Sequence, residues 1–151
     1  MLELIIDFFN KQEWHYTLIE AKRIVVLRMS GKNGAFQCIV DIQEDEQKFI
    51  FFSFCPANVP GIKKVEMSEL LTRLNFGRFY GNFEMDYNEG VIRYKTTLYY
   101  DTLQITPKII EHLIMSNIIA MDTALNGIIQ LIEGDITPLQ AFHLIEKAES
   151  E

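Results

Sequence analysis

The stretch NFGRFYGNFEMDYNEGVIRYKTTLYYD, residues 75–101, decides the fold class. Phe83, Met85 and Tyr87 alternate with Asn82, Glu84 and Asp86, while Ile92, Tyr94, Thr96 and Leu98 alternate with Val91, Arg93, Lys95 and Thr97. A period of two puts successive side chains on opposite faces of a strand, so each run predicts a strand with one mostly buried face. Asn88-Glu89-Gly90 supplies the turn of a hairpin. The register follows from the same alternation. A three-residue loop would set Phe83 and Met85 beside Lys95 and Arg93, because a one-residue slip transfers a whole side-chain set to the other face. A two- or four-residue loop unites the apolar sets and brings Glu84 and Asp86 beside Arg93 and Lys95. The even loop is therefore expected, with Glu84 and Arg93 sharing the solvent face. The stretch has no His, Cys or Ser, so its pattern speaks of strand pairing rather than of a reaction.

Upstream, WHYTLIE, RIVVLRMS, AFQCIVDIQ and KFIFFSF are short β-branched and aromatic runs, separated by Gly31-Lys32-Asn33-Gly34 and by Glu44-Asp45-Glu46-Gln47. They predict a strand meander over 14–54. The second and fourth runs are apolar on both faces, as in a central strand covered twice or a strand with an apolar outer surface. Before them, Leu2, Ile5, Ile6 and Phe9 stand at i, i+3, i+4 and i+7, and Leu4 and Phe8 form a neighbouring stripe, which predicts a first helix over 1–11. After CPANVPGIK, a loop by its prolines and glycine, Met67, Leu70, Leu71 and Leu74 recur at helical spacing and predict a second, short helix ending near Gly77.

Downstream, Thr106-Pro107 is a cap and first-turn pair, and a helical pattern runs unbroken to Glu133-Gly134. Its apolar residues cover an arc near 200° at roughly 100° per residue, more than one packed face requires. Asn117 lies near the middle of that arc and reads either as a satisfied core amide or as a register-setting contact between subunits. Thr137-Pro138 opens a last helix, expected to shield the surplus arc through Ala141, Phe142, Leu144, Ile145 and Ala148.

The chain has 151 residues, 48% hydrophobic and 23% charged, which suits one globular domain. A formal net charge of −7 repels nucleic acid, and the basic residues form only pairs such as Lys22-Arg23 and Lys63-Lys64. The N-terminus carries no basic leader and no run reaches about 18 uninterrupted apolar residues. No export and no membrane span are expected, and Cys38 and Cys55 read as two reduced core thiols of a cytoplasmic protein. His15, His112 and His143 have no i, i+4 partner, and HExxH, CxxC and GxSxG are absent. Gly77-Arg-Phe-Tyr-Gly81 follows a helix and precedes a strand, the reverse of a phosphate loop. No enzyme, cofactor or metal site is expected.

Asn75, Gly81, Phe83, Asp86, Gly90 and Arg93, in the spacing NxxxxxGxFxxDxxxGxxR, together with the element order, resemble the YbjN family of bacterial proteins over about residues 1–133. The resemblance implies an α+β domain, an antiparallel β-sheet packed with helices in the order α-β-β-β-α-β-β-α, similar to type III secretion chaperones. Residues 134–151 then add a C-terminal helix to the domain of residues 1–133. It also implies a frequently dimeric protein that binds extended segments of protein partners. Family members are described as sensory transduction regulators without a defined activity.

Two functions follow as expectations. The first is a non-enzymatic protein-binding module, chaperone-like or regulatory and homodimeric, with an apolar surface on the fourth strand, either Phe49 and Phe51 or the opposite set Ile50, Phe52 and Phe54, unless the second helix covers that set. Phe49, Phe51 and Asn117 are the candidate partner-binding residues. The second is a small-ligand sensor or enzyme with a pocket between sheet and long helix.

Overall fold

A computed structural model describes residues 1–102 and 104–151. The elements are α1 (Leu2–Lys11), β1 (Tyr16–Ile19), β2 (Ile24–Ser30), β3 (Ala35–Gln43), β4 (Lys48–Phe54), α2 (Lys64–Asn75), β5 (Asn82–Met85), β6 (Ile92–Tyr99), α3 (Pro107–Glu133) and α4 (Pro138–Glu149). The strands form one open antiparallel sheet of order β1-β2-β3-β4-β6-β5. The fold is thus α+β, as expected. Four strands precede α2 rather than three, because the run around Tyr16–Ile19 forms a short extra edge on β2.

The hairpin register is the even one. Met85 faces Ile92, Glu84 faces Arg93 and Phe83 faces Tyr94. Asp86 N–H donates to the Val91 carbonyl and Gly90 N–H to the Asp86 carbonyl, which leaves a four-residue loop.

Alternation sorts the sheet into two faces. Val25, Leu27, Phe36, Cys38, Val40, Phe49, Phe51, Phe83, Ile92 and Tyr94 are buried on one side, where the helices lie. α3 crosses β4 and β6, α1 packs on α3, and α2 packs on β5. The predicted α2 stripe of Met67, Leu70, Leu71 and Leu74 is buried in full. α3 starts at Thr106, whose hydroxyl caps Ile109 N–H, and it anchors the β2–β3 turn, where Asp122 accepts Lys32 and Asn33 N–H at 3.0 and 2.9 Å. It is long and apolar enough to cross a membrane by length and composition, but half of that apolar window is buried against the rest of the chain.

α4 packs on α3 and α2 within the same chain. Thr137 and Gln140 form a reciprocal capping box at its start. Its buried face consists of Pro138, Ala141 and Ile145, which is narrower than the sequence suggested. Phe142 is half-buried and Leu144 and Ala148 are exposed, because the helix settles onto Gly127 through Ile145 and Ala141, which makes that side of the helix its contact face.

Candidate functional site

β4 carries apolar residues on both faces, and the helix layer chooses between them. Phe49 and Phe51 point beneath α3 and are fully buried. This corrects the placement of Phe49 and Phe51 on an exposed surface: the apolar arc of α3 needs a flat apolar partner, and this half of β4 provides it. Ile50, Phe52 and Phe54 consequently point to the face that carries no covering layer among the described residues.

Asn117 is fully buried as well. Its Nδ2 donates to the Phe51 carbonyl at 2.9 Å, the Thr96 hydroxyl at 3.1 Å and the Tyr94 carbonyl at 3.3 Å, and its Oδ1 accepts the Ser53 hydroxyl at 2.6 Å. Ser53 Oγ in turn lies 3.3 Å from Cys38 Sγ. The amide is therefore a satisfied core group that ties α3 to β4 and β6, not a surface contact. With Ile110, Ile114 and Met121, also fully buried, it packs the centre of the layer between sheet and long helix; a cavity of about 230 Å³ between Tyr94 of β6, Ser116 and Ala120 of α3 and the Gly77–Tyr80 connection lies at its margin. Burial pushes the Cys38 thiol up to about 12, with the Ser53 hydrogen bond pulling weakly the other way, and Cys55 is raised by burial too. Neither is poised as a nucleophile.

The open face holds a strip formed by Ile24, Val26, Ile39, Ile50, Phe52 and Phe54 on β2, β3 and β4. Phe52 and Phe54 rings lie 6.0 Å apart, and the Arg93 guanidinium sits 4.3 Å over Phe52. Along β6 and β5, Glu84 pairs with both Arg93 and Lys95, the latter at 2.8 Å. Burial raises the Glu84 carboxyl, but the hydrogen bonds from Lys95 and Arg93 and their charges outweigh it, so the net shift is downward. Two surface grooves flank the strip: one of about 430 Å³ bounded by Phe54, Glu84 and Arg93, and one of about 480 Å³ bounded by Thr17, Val26, Arg28 and Gln37.

The two ends of the sheet differ. At β5 the Asn75 side chain, from the end of α2, accepts Phe83 N–H at 2.7 Å and donates to the Phe83 carbonyl at 2.8 Å. It occupies the positions a neighbouring strand would take and blocks that edge. Gly81 and Gly90 complete the frame at φ +73° and +76°, where a Cβ would meet the Lys95 and Val59 carbonyl oxygens at 2.4 and 2.2 Å. Asp86 accepts Asn88 N–H inside the turn. Arg93 apart, which stands on the open face, the residues of the motif are thus fold-making groups. The edge role of Asn75 escaped sequence reasoning because nothing local says which strand a helix-end amide will reach.

A second exposed apolar group sits in the α2–β5 connection. Phe76 and Phe79 are 91% and 95% exposed, and Tyr80 stacks edge-on against His112 of α3 with ring centroids 5.2 Å apart. Among the described residues no group of three or more His, Cys, Asp or Glu is arranged to hold a metal ion.

The family model for YbjN, described as "Putative bacterial sensory transduction regulator", matches residues 2–130. No curated protein matches by sequence. Among solved structures the chain is similar to the ExsC–ExsE complex (12% identity, 83% of this chain and 90% of that one, TM-score 0.61). It is also similar to YbjN from E. coli (9% identity, 99% and 92%, TM-score 0.57) and to the HopA1–SchA chaperone–effector complex (11% identity, 82% and 90%, TM-score 0.54). At these identities the likeness is one of fold.

Proposed function

The chain belongs to the YbjN family, and from that premise we propose that it is a non-enzymatic, cytoplasmic protein-binding module, chaperone-like or regulatory, that receives a partner on the open face of its sheet. The observation that carries the reading is the strip of Ile50, Phe52 and Phe54 with Ile39 and Val26, only partly buried although the chain has a complete core elsewhere. Contiguous apolar surface of this kind marks an interaction site. Two of the three solved relatives above are complexes, one of them a chaperone with its effector, which supports a protein as the occupant. The two buried, unpaired thiols accord with a reducing compartment. The test is a photo-cross-linking amino acid at Phe52, compared with one at Glu133 on the far end of α3. Cross-linked protein adducts should form from position 52 and vanish when Phe54→Asp is added. Equal adducts from both positions, or none from 52, would remove the assignment.

We also propose a homodimer, formed through the Phe76–Tyr80 segment. Two nearly bare Phe side chains next to Tyr80 are what a contact between copies would cover. Light scattering coupled to size exclusion should give twice the chain mass for the native chain and the single mass for Phe79→Asp. An unchanged mass between the two would refute this interface.

A further inference from the structure

We infer that the segment received by the open face is acidic as well as apolar, with carboxylates spaced four residues apart around an apolar residue in an extended chain. The inference rests on the open face being the binding surface and adds the chemistry of the occupant.

The argument starts from charge. The strand residues of that face include four cations, Arg28, Lys48, Arg93 and Lys95, and two anions, Asp41 and Glu84. These strand residues therefore carry +2 in a chain of net −7, so the rest of the chain carries −9, including Asp86, which lines the groove beside Arg93. Glu84 is one carboxylate shared by two cations. Asp41 is engaged by the Gln43 amide at 2.9 Å, and Lys48 is paired with Glu46 of the adjoining turn. Arg28 is exposed and has no acidic partner among the described residues. The cations with charge to spare thus stand on opposite sides of the apolar strip: Arg28 on β2, and Arg93 with Lys95 on β6. A basic segment would meet them as like charges; an acidic one meets cations on both sides of the strip.

The register converts this into a spacing. Arg28 faces Gln37, Gln37 faces Phe54 and Phe54 faces Arg93, so the two guanidinium-bearing residues are three strand steps apart, about 14 Å at roughly 4.8 Å per step. An extended segment crossing the strands advances about 3.3 Å per residue, and its residues i, i+2 and i+4 share one side. Residues i and i+4 then reach Arg28 and Arg93, and residue i+2 lies over Gln37 and Phe54. The fitting pattern is acidic, any, apolar, any, acidic.

The test uses the full ¹⁵N-labelled chain and synthetic peptides with the cores Asp-Ser-Leu-Ser-Asp, Asn-Ser-Leu-Ser-Asn and Lys-Ser-Leu-Ser-Lys between identical Gly-Ser flanks. The acidic peptide should shift the amides of β2, β4 and β6 around Arg28, Phe54 and Arg93. Each Asp-to-Asn exchange should weaken it about two- to fivefold, the scale of an exposed ion pair, with the difference shrinking at high salt. Arg28→Glu, a substitution on an exposed side chain outside the core, should reverse the preference at one end only. One of the two mixed peptides, Lys-Ser-Leu-Ser-Asp or Asp-Ser-Leu-Ser-Lys, should then bind as the acidic one binds the native chain. A spectrum of the variant unchanged beyond its neighbourhood shows that it is folded. If the neutral or basic peptide binds this face as well as the acidic one, or if no peptide shifts it, the acidic pattern is overturned. Cross-linking from position 52 would in that case still stand or fall by itself, which separates this inference from the proposed function.

Discussion

Asn117→Ala tests whether the buried amide is what holds the long helix on the sheet. The Cys55 N–H to Ile92 carbonyl bond of 2.9 Å sets the phase of the β4–β6 ladder, so Ser53 with Tyr94 and Phe51 with Thr96 are the hydrogen-bonded pairs. The Phe51 and Tyr94 carbonyls therefore keep their strand donors when Asn117 is removed, and only their second lone pairs go empty. The Ser53 hydroxyl is different. It loses its 2.6 Å acceptor and keeps only a thiol neighbour, which costs about 1–2 kcal/mol. The bonds lost to Thr96 and the carbonyls add about 1 kcal/mol, and the small cavity under α3 adds up to about 1 kcal/mol. A total of about 2–4 kcal/mol should appear in urea unfolding as a lower midpoint at unchanged slope. The triple variant Asn117→Leu, Ser53→Ala, Thr96→Val removes donors and acceptors together, and should recover at least half of that loss. A single-variant loss below about 1 kcal/mol, or a triple variant no better than the added single losses, would refute the network as described.

Replacing Asn75 by Leu uncovers Phe83 N–H and C=O and should cost about 1–3 kcal/mol. It should also raise light scattering on heating as the β5 edge becomes available to other chains; scattering equal to the native chain's would mean the edge is blocked by something else. The Glu84 carboxyl, lowered in the folded chain, contributes stability above its unfolded pKa that is lost as pH falls through the folded value, so Glu84→Gln should flatten the acid limb of the stability curve. A Glu84–Arg93 double-mutant cycle should give only about 0.2–1 kcal/mol, since both side chains are partly exposed. Cys38 titrates the opposite way: its thiol is raised from 9.0 to about 12, so stability is intact below pH 9 and falls between pH 9 and 12 as the unfolded thiol ionises first. Cys38→Ala should soften that alkaline loss, and a thiol reagent at neutral pH should label the native chain only as fast as it opens. Truncation after Gly134 uncovers the α3 surface beneath Ala141 and Ile145, removes about 1.5–3 kcal/mol of burial from Ile145 alone, and should increase binding of a hydrophobic dye; unchanged stability and dye binding would make α4 a dispensable tail.

How much of this was legible depends on whether a pattern is one-sided. The β5–β6 hairpin has one apolar and one charged side per strand, so its register could be worked out from alternation alone, and the structure has that register. α2, with its apolar stripe at 67, 70, 71 and 74 and only the exposed Val65 off it, was equally unambiguous. KFIFFSF was not, because both of its sides are apolar, and only the placement of α3 decides that Phe49 and Phe51 go inward. The same limit applies to α4, where Leu144 and Ile145 are equivalent by hydropathy; the gap left by Gly127 admits Ile145 and leaves Leu144 outside. Charge on a face was hidden for a related reason. Arg28, Lys48, Arg93 and Lys95 are scattered over 68 positions of the chain, and the pairing of four strands is needed before they surround one strip.

The two-sided strand also bears on why the open face suits a binding role. A strand needed only for the core would gain nothing from Ile50, Phe52 and Phe54, since polar residues at those positions would serve solubility and guard against sheet-to-sheet association. Full burial of such side chains yields about 1.5–3 kcal/mol each, and their partial burial within the free chain leaves part of that unrealised. Arg93 over Phe52 and the cations along the strip limit the resulting stickiness, as charged residues do beside apolar segments that must stay exposed. They also select by charge what may lie down there. The Asn75 block at β5 closes the sheet edge beside the strip, so a partner at that side engages side chains on the face rather than extending the sheet.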